Sequence, residues 1–293
     1  MIRIRDEYVA LLRMHGDIGR SVQGTTVNLK PLSANDLRTL TESLAPWCQT
    51  DGERDRLARR LVAETGGSPF LAVTLLGALD RVASLRPDVL TWPAPEATFD
   101  SPLPLSVPRL ARAALVARVA QLDPDVRRVA ATASVLAIGL DPELIAELLD
   151  RSRAWVEERL SHLERASLIT FDGVRYAFAA SLIAQVVRSE FLTPGQRRAV
   201  KSDAIAALAS RSDIESRVLR AELLAEIAPN RESFREAAAA ARDALKDGAT
   251  RTARRAVVAA ERAVDGLGDD ERADLAHLRS EIATRPGNRG GKP

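Results

Sequence analysis

The sequence predicts a mainly α chain, on three observations. Hydrophobic residues make up 46% of the 293 positions but aromatics only 4%. The core must therefore come from Leu, Val, Ile and Ala, a mixture that suits packed helices and disfavours β-sandwiches and aromatic-rich barrels. Apolar residues recur at helical spacing along most of the chain, and Ser, Thr or Asp followed by Pro or by an acid repeatedly opens such a run. The length suggests about two domains.

Taken in order, residues 2–5 (IRIR) alternate apolar and charged side chains and read as a short strand, with residues 22–29 as a weaker extended candidate. Ser33 and Asp36 form a capping box before Leu37, Leu40 and Leu44. A second helix is expected from about Glu53 to Ala63, with Leu57 and Leu61 one turn apart and Gly66-Gly67 as terminator. Pro69 then fits the first turn of a third helix, Phe70 to Ser84. Six of the chain's 15 prolines fall between Arg86 and Pro108, a density that marks a linker.

Beyond it, Asp123-Pro124 and Asp141-Pro142 each place a capping acid before a proline at the first helical position, where a missing amide costs nothing. The first of these helices carries Val126, Val129, Ala130 and Ala133, the second Leu144, Ile145 and Leu148. A further helix from about Arg153 carries Val156, Leu160 and Leu163. Residues 167–171 and 174–178 flank Asp172-Gly173, a two-residue hairpin signal. Three helices followed by a two-stranded wing predict a winged helix. From Leu182 to about Ile282 the pattern is helical again, broken at Thr193-Pro194-Gly195, Pro229-Asn230, Gly248 and residues 266–268. Two Ala-rich helices paired across Gly248 resemble a tetratricopeptide-like (TPR-like) repeat array, although no consensus period recurs. Residues 286–293 are expected to be a disordered tail.

The formal net charge is +2, and 38 of the 42 basic residues are arginine, so no strongly basic field points to non-specific nucleic-acid binding. The single cysteine, Cys48, forms no internal disulfide and fits a reducing cytoplasm. No apolar run is long enough to cross a bilayer, and the N-terminus lacks a secretory h-region. A phosphate-cradling G-x-x-x-x-G-K-[ST] loop is absent, as is an apolar strand ending in paired acids. No catalytic residue and no metal site are assigned, because His15, His162 and His277 lie far apart in sequence. Ser68 reads as a helix cap rather than a nucleophile, and Asp269-Asp270-Glu271 as acids at a helix start. On the helix from Arg153, Glu157, Glu158 and Glu164 offset Arg153, Arg159 and Arg165. That composition favours a solvated or partner-facing helix over one that reads a DNA groove.

A series of short motifs in fixed order resembles the C-terminal part of STAND-class signal-transduction ATPases, AAA-related proteins of the kind fused to LuxR-type regulators. The motifs are Arg5-Asp6-Glu7, residues 29–33 (LKPLS) with Asp36-Leu37, residues 65–71 (TGGSPFL), 103–107 (LPLSV), 117–122 (ARVAQL), 163–169 and 176–178 (YAF). The resemblance implies a γ-phosphate-sensing role for Arg5 and an adenine-contacting turn at Gly67 and Pro69. With the P-loop half missing, these positions read as vestigial. It also implies Phe-x-His and a following Arg after the wing, but Ala180 and Ala184 stand at those places. Alanine donates no hydrogen bond to phosphate.

The resemblance divides the chain into a remnant of a nucleotide-binding core (1–30), a helical lid-like domain (31–86), a Pro-rich linker (87–105), a winged-helix domain (106–180), a helical repeat-like region (181–284) and a tail (285–293). The expected function is a non-catalytic, cytoplasmic regulatory module in signalling or transcriptional control. It would contact a protein partner through its C-terminal helices, with no cofactor and no membrane. Two alternatives remain open: a winged-helix DNA-binding regulator, and a subunit that binds ATP or ADP when a partner supplies the P-loop in trans.

Overall fold

A computed structural model describes residues 30–85, 91–95, 98–99, 103–136, 139–263 and 268–284. The two expected strands at 2–5 and 22–29, Arg5 and the tail lie outside the described residues. Among the described residues the protein is mainly α, with thirteen helices and two short strands. No described helix is long and apolar enough to cross a membrane.

The first three helices are α1 (Ala34–Leu44), α2 (Asp51–Thr65) and α3 (Pro69–Ala83). Ser33 and Asp36 form the predicted capping box on α1. Thr50 and Glu53 form a second box that opens α2 two residues before the expected start, and Gly66 ends α2 in the left-handed region at φ 60°. Ser68 caps α3, with Pro69 in its first turn. The Pro-rich stretch is anchored to this bundle. Trp92 is buried, the Arg60 guanidinium lies 5.3 Å from its ring centroid, and Arg60 also donates to the Thr98 carbonyl at 3.0 Å.

Next come α4 (Arg109–Ala120), α5 (Pro124–Val135), α6 (Pro142–Leu149) and α7 (Arg153–Arg165). Helix α4 is an addition to the sequence reading. It has no side-chain cap, and Ala111, Leu115 and Val119 make a narrow buried stripe at four-residue spacing. Strands β1 (Ile169–Phe171) and β2 (Tyr176–Phe178) pair antiparallel, with Phe171 opposite Tyr176. The predicted two-residue turn is therefore a four-residue loop, 172–175. The Asp172 carboxylate accepts from the amides of Val174 and Arg175 at 2.9 and 2.8 Å. That side-chain turn replaces the tighter backbone turn that Asp-Gly otherwise favours. The Leu140 amide donates to the Tyr176 carbonyl at 2.7 Å, bridging the other edge of β2.

Helices α8 (Ser181–Glu190), α9 (Pro194–Leu208), α10 (Ile214–Ile227), α11 (Arg231–Lys246), α12 (Thr250–Arg262) and α13 (Asp269–Thr284) complete the chain. The break between α9 and α10 was not expected, since it holds neither Gly nor Pro. Asp213 makes it by accepting from the Ser216 amide at 2.9 Å as an N-cap.

Two hydrophobic clusters result. The first is Leu-rich and continuous from Leu37 through α1–α10 to Leu223, and each fully buried Leu contributes about 1.5–3 kcal/mol. The second, over α10–α13, is built mainly from alanine around Phe234, Leu245, Leu275, Leu278 and Ile282. Alanine lets helix backbones approach closely but buries little area per residue. Ion pairs between neighbouring helices accompany this thin core: Arg217–Asp243 at 2.7 Å, Arg220–Glu236 at 2.6 Å and Arg242–Asp274 at 2.7 Å.

Candidate functional site

The glycine corner after α2 is where the resemblance put Gly67 and Pro69. Gly67 has φ +72°, and a Cβ built there would lie 2.5 Å from the Leu32 carbonyl oxygen and 2.9 Å from Pro31 Cβ. The Leu32 amide donates to the Gly67 carbonyl at 2.8 Å. A Cβ on Gly66 would lie 2.2 Å from the Ala179 carbonyl oxygen. The corner is thus packed between two strips of backbone, one preceding α1 and one following the hairpin. The Ser181 hydroxyl donates to the Ala63 carbonyl at 3.1 Å, tying the start of α8 to the last turn of α2. Ala180, at the position where the resemblance implies histidine, is buried, and its Cβ lies 3.5 Å from where a Gly66 Cβ would stand. Pro69 is exposed in the first turn of α3, and Arg5 lies outside the described residues.

Helix α7 is the helix that the sequence reading weighed as a reader of a DNA groove. Its arginines are engaged within the helix. Arg153 pairs with Glu157 at 2.8 Å and Arg159 with Glu158 at 2.5 Å, and the Arg159 guanidinium lies 4.1 Å from the centroid of Trp155. Arg165 donates to the Ser161 carbonyl. At the hairpin, Phe171 is 45% exposed and Val174 is 82% exposed. A surface that holds DNA phosphates presents several cations at such positions; this hairpin presents two apolar side chains beside a single exposed arginine, Arg175.

Below the hairpin lies an open cleft of about 490 Å³, walled by the β1–β2 loop, the start of α6, α7, the end of α9, α10 and α12. Its apolar lining includes Leu140, Leu144, Leu208 and Leu219, with Phe171 and Val174 at the lip. The Phe171 and Tyr176 rings stack at 4.7 Å between centroids. Four carboxylates line it, and each is already engaged. Asp141 caps α6 and pairs with Arg211 at 2.6 Å. Asp213 caps α10, and Glu157 holds Arg153. Glu215 accepts from Thr252 and Arg255 at 2.8 and 2.7 Å. Burial opposes ionisation of Glu215, yet the Thr252 hydroxyl and the Arg255 charge hold its pKa below the ordinary glutamate value. Arg255 also grips Glu222 with two nitrogens, at 2.9 and 2.7 Å. Arg175 makes no contact ion pair among the described residues, but its charge helps to lower the pKa of Glu215 and of Asp172, and its aliphatic stem passes beside Gly139, 3.8 Å from where a Cβ would stand there.

Sequence reasoning singled out the glycine corner but missed the cleft. Its walls come from segments as far apart in sequence as Gly139 and Arg255. The one local signal was a pair of large apolar residues, Phe171 and Val174, on a short polar hairpin. Comparison with protein-family models, curated proteins and solved structures finds no match to this chain.

Proposed function

We propose that the chain is a non-catalytic regulatory module that works by docking a protein partner. In this reading it descends from a STAND-type ATPase regulator and acts in cytoplasmic signalling or transcriptional control. The observation that carries the reading is the combination at α7 and the hairpin. The α7 arginines Arg153 and Arg159 pair with carboxylates of their own helix, while Phe171 and Val174 stand exposed on a hairpin whose one exposed cation is Arg175, fewer than phosphate contacts require. Exposed apolar side chains grouped on a charged surface favour protein contact over a nucleic-acid backbone. The ion-paired helices α10–α13 supply a second, broader surface for the same partner.

A photoreactive amino acid in place of Val174, and another in place of Arg251 on α12, test this reading in cells that produce the chain. One discrete protein adduct at either site, absent from a control position on α1, is the expected result. Salt-dependent, sequence-specific DNA retention in a mobility-shift series would establish the DNA-binding alternative instead.

A further inference from the structure

From the outer face of α3 we infer that the chain associates with a second copy of itself through an antiparallel α3–α3 contact. Residues 69–79 (PFLAVTLLGAL) carry no charge, and a helix that is apolar all round is one that is covered on all sides. Leu71, Leu75, Leu76 and Leu79 bury the inner face, yet Phe70 stays 50% and Val73 48% exposed on the outer one. The two hydroxyls at this face donate inside the helix. Thr74 donates to the Phe70 carbonyl at 2.7 Å and Ser84, at the C-cap, to the Arg81 carbonyl at 2.9 Å. Gly77 lies one turn after Val73. It is the one glycine inside a helix, past the first turn, among the described residues, and nothing beyond its own helical turns comes within 4 Å of where its Cβ would stand. A mid-helix glycine costs about 0.5–1 kcal/mol relative to alanine. No contact within the chain uses the space it leaves; the close approach of another backbone does.

The face is its own complement. In an antiparallel pair centred on position 75, the protruding Val73 of each copy enters the space over the other's Gly77, so one face supplies both knob and hole, as an isologous interface requires. Phe70 then lies against the second copy's Asp80 and Arg81, where a guanidinium over the ring is favourable. Asp80 and Arg81 are exposed and make no ion pair among the described residues. Lys30 is exposed too, and the hydrogen bond from the Leu32 amide to the Gly67 carbonyl sets it near the start of α3, towards the second copy's Asp80. A parallel pair is disfavoured, because it sets Asp80 against Asp80 and leaves Gly77 without a knob. A wholly apolar foreign helix is disfavoured as well, since it would hold Asp80 and Arg81 against hydrocarbon. The seam from Phe70 to Ser84 is only about 22 Å long at 1.5 Å per residue. It buries less than the roughly 1,200 Å² of a stable interface, so the dimer forms and dissociates with concentration.

Sedimentation equilibrium of the full chain, from low to high micromolar concentration, tests the inference. A monomer–dimer equilibrium is expected, with no larger species, because an isologous contact closes on itself. Val73→Glu should abolish it. Gly77→Leu should weaken it about tenfold or more, the range for overpacking, although leucine adds apolar area; a patch that is merely sticky would associate more strongly instead. Both replacements bring in better helix formers, so the variants keep the fold, and unchanged circular dichroism verifies this. Arg198→Gln, on α9, should leave the equilibrium unchanged. Under mild oxidation a mixture of Val73→Cys and Gly77→Cys chains should crosslink faster than either variant alone, since the antiparallel register sets 73 against 77; the native Cys48 is buried and stays silent. A chain that is monomeric throughout overturns the inference. So does a dimer that survives Val73→Glu, a dimer strengthened by Gly77→Leu, or equal crosslinking in the three samples. A monomer whose Val73→Cys variant also resists a maleimide overturns it in favour of a cover drawn from the chain itself. None of these outcomes alters the crosslinking result expected at Val174 or Arg251, so the two claims fail separately.

Discussion

Replacing Gly66 with alanine probes the closest backbone approach made to any described glycine. Two costs add. Gly66 sits at φ 60°, and an L-residue in the left-handed region costs about 1–2 kcal/mol. The new Cβ would also stand 2.2 Å from the Ala179 carbonyl oxygen, where backbone rather than a flexible side chain must yield, at about 1–3 kcal/mol. The sum is about 2–5 kcal/mol, a large fraction of the stability of a typical domain. Gly248→Ala separates the terms, because Gly248 has φ +74° but nothing within 4 Å of its Cβ position; it should cost about 1–2 kcal/mol. Gly77→Ala lies within α3 with open space around it and should stabilise by about 0.5–1 kcal/mol. Urea unfolding of the three variants, followed by far-UV circular dichroism, gives the midpoints. If Gly66→Ala loses no more than Gly248→Ala, the corner between α2 and the segment after the hairpin is not closely packed, and the reasoning fails.

Other outcomes follow from the charged and buried groups. Arg255→Ala should destabilise by about 1.5–3 kcal/mol in thermal unfolding, because it leaves Glu222, 17% exposed, without the guanidinium that grips it. Burial opposes ionisation of Glu226, but Lys201 and Arg262 lower its pKa below the ordinary 4.5. Its stabilising contribution is thus complete above about pH 4.5 and is lost as the pH falls through the folded value. Hydrogen exchange should show α9, α10 and α12 losing protection in that acid window, and Glu226→Gln should flatten the pH dependence. Burial, followed by the nearby Glu53 charge, pushes the Cys48 thiol up to about 11. It should therefore resist a thiol reagent at pH 8 in the native protein and react promptly in denaturant.

Much of the fold was legible where one residue type has one local reason to be there. Ser33 with Asp36, Ser68 before Pro69, Asp123 before Pro124 and Asp141 before Pro142 all cap helices as expected. Thr193 before Pro194 caps a helix too, where the sequence pattern marked only a break. Helix α4 was not legible by that route because Pro108 offers no capping side chain. The break before Asp213 was hidden because Ala, Ser and Arg fill it without a Gly or Pro signal. The hairpin loop came out two residues longer than Asp172-Gly173 suggests because the Asp172 side chain captures two amides. At the glycine corner the sequence marked the turn but not its neighbours. The closeness of Leu32 and Ala179 is a tertiary fact that no local pattern carries, and the cleft under the hairpin belongs to the same class.

The central claim, that this chain acts by docking rather than by gripping a nucleotide, is tested most directly by calorimetric titration of the purified chain with ATP and with ADP, each with and without magnesium. Heats of dilution alone are the predicted result. Saturable micromolar binding that is lost when Arg5 or Pro69 is replaced would contradict the claim and restore the nucleotide to the mechanism.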